Sequence, residues 1–136
     1  MKHKKMLLYY IKRYPFSLAT ILVVAYFSFF HPPSMDLPTF QGMDKLAHFC
    51  MYAGLSGILW IEFLFNHKRG LVNMKHAIIG AVICPILFGA IIEILQEYIT
   101  DYRQGDILDF MANTCGVLMA TCIAWYIFRP IILKRK

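Results

Sequence analysis

The sequence predicts an all-α integral membrane protein, a bundle of four transmembrane helices. Three observations predict it. Apolar residues make up 59% of the 136 residues and charged residues 16%, where a soluble domain carries about 45–50% and about 25%; mean hydropathy is +0.55. Four apolar runs take up most of the chain, and three of them reach the roughly 20 residues that a bilayer crossing needs. Lys and Arg gather at alternate ends of the runs, and Asp and Glu gather at the opposite ends.

The first run covers Pro15 to Phe30. It is short for a crossing, and Tyr9, Tyr10 and Tyr14 extend it as interfacial aromatics. Its basic start resembles a signal peptide, but Phe27-Ser28-Phe29-Phe30-His31-Pro32-Pro33 offers no small-x-small cleavage site, so a retained helix is expected. The loop from His31 to Gly42 holds Pro32, Pro33 and Pro38 and is expected to be extended. The second run covers Leu46 to Phe65, the third Ala77 to Ile99 and the fourth Ile107 to Phe128. The connection from Thr100 to Gly105 is so short that the third and fourth helices must form an antiparallel hairpin. Pro85 lacks the amide that would bond to the carbonyl of Ala81, so a kink with a free carbonyl near Ala81 is expected. Ala53 and Gly57, and Ala112, Gly116 and Ala120, form rows of small residues that let helices approach closely in lipid. Cys50, Cys84, Cys115 and Cys122 show no CxxC spacing and are expected to be small buried residues without a disulfide or a metal.

The charges orient the bundle. Lys2, Lys4, Lys5, Lys12 and Arg13 precede the first run. Lys68, Arg69 and Lys75 follow the second, and Arg129, Lys134, Arg135 and Lys136 end the chain. The positive-inside rule then puts both termini and the middle loop in the cytoplasm of a multi-pass protein of the cell membrane. The net charge of +6 is explained by this asymmetry and by anionic lipid, so membrane lipids and no nucleic acid are the expected partners.

The polar groups of the opposite end carry the functional signal. Asp44 and His48 are four residues apart and share a helix face; Glu93 and Glu97 do so on the third run. Asp106, Asp109 and Asn113 share a face of the fourth. Asp44 and Asp106 suit helix N-termini as caps. Lys45 suits snorkelling to the surface, and Arg103 suits a carboxylate or phosphate. His48, Glu93 and Asn113 lie deeper than caps require, and ionisable groups within membrane helices are functional candidates by default. His48, Glu93 and Asp109 are therefore the candidate proton-transfer, or catalytic, residues. Asp44, Lys45, Glu97, Arg103, Asp106 and Asn113 are the candidate substrate-binding residues. His48, Glu93 and Asp109 are also compatible with a metal, but no HExxH or two-His spacing is present, so neither metal nor cofactor is expected. A closed salt-bridge network that only sets helix packing is the competing explanation.

The order Asp44-Lys45-x-x-His48-x-x-x-Tyr52-x-x-Leu55, then Glu93-x-x-Gln96, then Arg103-x-x-Asp106-x-x-Asp109-x-x-x-Asn113-x-x-Gly116 resembles the VanZ-like membrane proteins. The resemblance covers Asp44 to about Ala120. It implies a helical membrane bundle and a role in the cell envelope; the family's namesake is associated with resistance to the glycopeptide teicoplanin. The function so expected is binding of, or action on, a lipid-linked envelope precursor or another anionic head group.

Overall fold

The computed structural model describes residues 1–29, 42–99 and 106–134. The proline-rich loop, the 100–105 connection and Arg103 lie outside the described residues. Among the described residues the chain is almost entirely helical, with no strand. We number the helices α1 (Lys2–Arg13), α2 (Pro15–Phe29), α3 (Met43–Lys68), α4 (Met74–Ile99) and α5 (Ile107–Leu133). α3, α4 and α5 are each long and apolar enough to cross a membrane; α1 and α2 pass that test only as a pair, and the pair is bent by 94°. α3 overruns its apolar run by three residues at each end, α4 by three at its start and α5 by five at its end. The runs mark only the part that faces hydrocarbon, while polar first and last turns continue the helix.

The bend between α1 and α2 has a local cause and a distant support. A residue before proline is pushed out of the α region, and Tyr14 leaves it at φ −132, ψ 48. Pro15 then opens α2 at a position where a missing amide costs nothing. The groups freed at the corner are met by α3. The Glu62 carboxylate accepts from the amides of Phe16 and Ser17, both at 3.0 Å, and from the Ser17 hydroxyl. Asn66, one turn further along, donates to the carbonyl of Arg13 at 3.2 Å. At its other end α2 meets Gln96 of α4, whose amide donates to the Ser28 carbonyl at 2.6 Å. Gln96 is thus a packing residue that closes the last turn of α2. α2 runs antiparallel to α3 along the bundle, and α1 projects across its basic end.

α3 is the central helix and contacts α2, α4 and α5, most extensively α5. It supplies the large core side chains, Tyr52, Leu55, Leu59, Trp60 and Leu64, at helical spacing along one side. Its partners present small ones: Ala77 and Ala81 on α4, Val117 and Ala124 on α5. Large against small lets three helices share a narrow core. The Trp60 indole donates to Thr121 at 3.1 Å, so the one polar atom of that ring is satisfied. α3 ends in a left-handed turn at Gly70 (φ 73), with Leu71 N donating to Asn66 O and Gly70 N to His67 O. That is the pairing by which glycine closes a helix C-terminus.

α4 starts at Asn73, whose side chain accepts from the His76 amide. A π-helical turn at Ile79–Ile83 precedes Pro85. The carbonyl of Ala81, freed by Pro85 as the sequence predicts, accepts from the Ser56 hydroxyl of α3 at 2.6 Å. Serine is one of the residues that re-satisfy such carbonyls in membrane helices. Ser56→Ala should therefore lower stability by about 1 kcal/mol, measured as thermal unfolding in detergent. Stability equal to that of the parent chain would show that the free carbonyl needs no partner.

Two expectations are corrected. The four cysteines are free and exposed, not buried. Helix faces that meet hydrocarbon need apolar residues as much as the core does, so apolar sequence context does not locate a residue inside. Gly57 is also not at a close approach: a Cβ added there meets nothing within 4 Å, whereas one at Gly116 would meet Phe49 O at 2.3 Å and Ala53 N at 2.9 Å. The backbones touch where Gly116 of one row meets Ala53 of the other, and Gly57 lies away from that contact.

Candidate site at the acidic end of the bundle

The first turns of α3 and α5 and the last turns of α4 come together at the end of the bundle opposite the α1–α2 corner. Six predicted residues contact one another there: Lys45, His48, Glu93, Asp106, Asp109 and Asn113; Asp44 stands at their edge. Glu97 is exposed and sits on the wall of a groove described below.

The cap assignments divide. Asp106 does cap α5, accepting from the Leu108 amide at 2.9 Å. That bond, with Lys45 alongside, holds its carboxyl below the usual carboxylate range. Asp44, by contrast, is not the cap of α3. Gly42 (φ 88) takes that position, with no side-chain capping bond. A backbone at positive φ suits glycine, which leaves Asp44 in the first turn, facing His48.

His48 is the centre of the cluster and is 2% exposed. Its Nδ1 lies 3.0 Å from Asn113 Oδ1 and 3.6 Å from Glu93 Oε1. Both neighbours are acceptors, which suits a hydrogen on Nδ1; Nε2 is the other face of the ring. Nε2 looks toward Asp109 Oδ2 at 3.6 Å and Asp44 Oδ1 at 4.0 Å. Lys45 spans Asp106 Oδ2 at 3.4 Å and Asp109 Oδ1 at 3.6 Å, so it turns to the carboxylates of α5. Glu93 faces the interior, as its depth requires, and its Oε2 accepts from the Asp106 amide at 3.2 Å.

Four buried polar atoms have no hydrogen-bond partner among the described residues: Tyr52 Oη, Glu93 Oε1, Asp109 Oδ1 and Asn113 Nδ2. An orphaned buried polar atom costs about 1–3 kcal/mol. Tyr52 is the member that sequence reasoning missed as a site residue. It stands one turn below His48 on the same face of α3, a signal present in the sequence, but a mid-helix tyrosine reads first as core. Its ring and the Asn113 amide both converge on Gly89, where an added Cβ would lie 3.2 Å from each.

The cluster is open sideways. Between α4 and α5 runs a groove with a volume of about 490 Å³, lined by Ala90, Glu93, Ile94, Glu97, Tyr98, Asp106, Ile107 and Phe110. Its walls are apolar along Ala90, Ile94, Ile107 and Phe110, and acidic at Glu93, Glu97 and Asp106. The arrangement can therefore receive a molecule with a polar head and an apolar tail.

Long apolar helices around a buried ionisable cluster define a helical membrane protein, with three crossings, or four if the bent pair counts as one. The chain belongs to the VanZ/LLP1 family, whose model matches residues 3–129. No curated protein and no solved structure matches it significantly.

Proposed function

We propose that the acidic end of the bundle is a recognition site for the head group of a membrane amphiphile, an anionic or lipid-linked molecule of the cell envelope. The observation that carries this is the pairing of the groove with the orphaned atoms. A network built only to hold helices has no reason to leave Asn113 Nδ2 and Tyr52 Oη without hydrogen-bond partners among the described residues, or to meet Glu93 Oε1 and Asp109 Oδ1 only through ion pairs at 3.6 Å. Of these residues Glu93 lines a groove that opens between two helices and has both an apolar and an acidic wall. In this reading Lys45 and Arg103 hold the anionic group, and Asn113 orients it. His48, Glu93 and Asp109 surround it, with Glu93 on the groove itself. The tail lies along Ile94, Ile107 and Phe110. The charge asymmetry supports an orientation with this end outside and both termini in the cytoplasm. If the chain contributes to teicoplanin resistance, as the family's namesake does, it acts through such a head group.

A second reading is favoured by the contacts already made: Lys45 to Asp106 and Asp109, and His48 to Asn113. It is a closed network that sets helix register. Polyprenyl phosphate binding to the purified protein, read by native mass spectrometry, separates the two. Ile94 is 58% exposed, so Ile94→Trp fills the groove without disturbing the core. It should weaken binding about tenfold, equivalent to about 1.4 kcal/mol, and Lys45→Ala should weaken it further. Binding that neither substitution changes, together with a loss of thermal stability in Lys45→Ala, would leave the packing network as the function of these residues.

A further inference from the structure

We infer that Asp44, His48 and Asp109 form a binding site for a divalent transition-metal cation of the Zn2+ class. One nitrogen or carboxylate oxygen from each of the three lies within 4.8 Å of the others. This inference goes beyond the head-group reading and does not depend on it. It departs from the expectation of no metal because the ligands come from two helices, so no short spacing in the sequence announces them.

The argument starts from the imidazole. Asn113 Oδ1 and Glu93 Oε1 suit a hydrogen on Nδ1, and in that tautomer Nε2 presents a lone pair. That lone pair faces two carboxylate oxygens, at 3.6 and 4.0 Å. Three electron-rich atoms confront one another, and His48 and Asp109 are only 2% and 6% exposed. Something positive belongs between them. A proton shared in a charge-assisted N–H···O bond draws its heavy atoms to about 2.7–2.9 Å, well inside the observed separations. A metal bonded at about 2.0–2.2 Å to each ligand sets neighbouring ligands about 3.4–3.6 Å apart. The 3.6 Å between Nε2 and Asp109 Oδ2 fits two ligands of one ion, and Asp44 Oδ1, at 4.0 Å, joins them by moving inward a few tenths of an ångström.

The two oxygens of Asp109 are divided. The residue is more than nine-tenths buried; Lys45 pairs with Oδ1 at 3.6 Å, which leaves Oδ2, facing His48 Nε2 at 3.6 Å, for the ion. Two carboxylates and an imidazole are a donor set that suits a divalent cation, with Lys45 remaining on the Oδ1 side of Asp109. An imidazole nitrogen in the set favours Zn2+, Mn2+ or Co2+ over Mg2+ and Ca2+, which prefer all-oxygen sites. The Asp44 side chain is 60% exposed, so the outer side of the ion is open to water or to a further oxygen ligand. The Nδ1 bond to Asn113 is the outer-shell support that orients a metal-binding histidine.

The test uses the full chain purified in detergent, stripped with a chelator and titrated with Co2+ by calorimetry and visible absorption, with no amphiphile added. One Co2+ per chain is expected, displaced by Zn2+ and not by Mg2+ at the same concentration. Asp44→Asn, at an exposed position, should leave metal-free thermal unfolding unchanged and weaken Co2+ binding at least about tenfold. Asn113→Leu should weaken it by about 10–100-fold. His48→Gln and Asp109→Asn should abolish it. Absence of Co2+ binding by the parent chain, or binding by Asp44→Asn equal to the parent's, overturns the site. Because no lipid is present, either result is distinguishable from failure of the head-group reading.

Discussion

Gly116→Ala should loosen the central helix pair and take the polar site with it. The added Cβ would lie 2.3 Å from Phe49 O and 2.9 Å from Ala53 N. Both are backbone atoms, so no side-chain rotation relieves the clash, and α3 and α5 must part by about 1 Å to restore ordinary contact. Overpacking of this kind costs about 3 kcal/mol or more. Asn113 stands one turn above Gly116 and bonds to His48 across the same contact at 3.0 Å, so the separation also breaks the cluster. The measurement is thermal or steric-trapping unfolding in detergent, beside Gly57→Ala. Gly57 has open space around it, and alanine there should be neutral or stabilising by up to about 1 kcal/mol, since glycine weakens a helix interior. Equal stability of the two variants would mean that the α3–α5 approach does not rest on Gly116.

Glu62→Ala should be the second large effect, at the opposite end. It leaves the Phe16 and Ser17 amides and the Ser17 hydroxyl without their acceptor. Glu62 and Ser17 are both buried, so water replaces the carboxylate poorly. Orphaned buried donors cost about 1–3 kcal/mol each, so a loss of about 3 kcal/mol is expected. Glu62→Gln keeps an acceptor oxygen but loses the charge that meets the positive end of α2, and should fall between the two. The corner should also relax. Spin labels on Lys4 and Lys68 should show a broadened distance distribution in Glu62→Ala. An unchanged distribution with unchanged stability would show that Tyr14 and Pro15 hold the bend alone.

These two positions mark the limit of what could be read from the chain. Glu62 is an acid near the basic end of the bundle, and no local pattern shows what it does because its partners are 45 and 46 residues away. Gly116 and Gly57 sit in similar small-residue rows, and only the facing backbone tells them apart. Ser56 is the converse case. The freed carbonyl of Ala81 was predictable from Pro85, since that is an effect within one helix, but the serine that satisfies it belongs to another. Asp106 was legible as a cap because capping involves residues two apart. Asp44 looked equivalent, and only the left-handed backbone of Gly42 removed it from that task.

The sequence by itself determined the helices, the separation of charge between the two ends, and the faces on which Asp44 and His48, or Asp109 and Asn113, lie together. Each follows from hydropathy and a period of 3.6 residues, which act along the chain. Only the tertiary structure decided which faces meet. It set Asn113 and Glu93 on one side of the His48 ring and two carboxylates on the other, left Tyr52 Oη without a partner, and opened a groove between α4 and α5. The reason is physical. In a bilayer the lipid is as apolar as the core, so hydrophobicity does not tell a buried face from an exposed one; close backbone approach and hydrogen bonds between helices do.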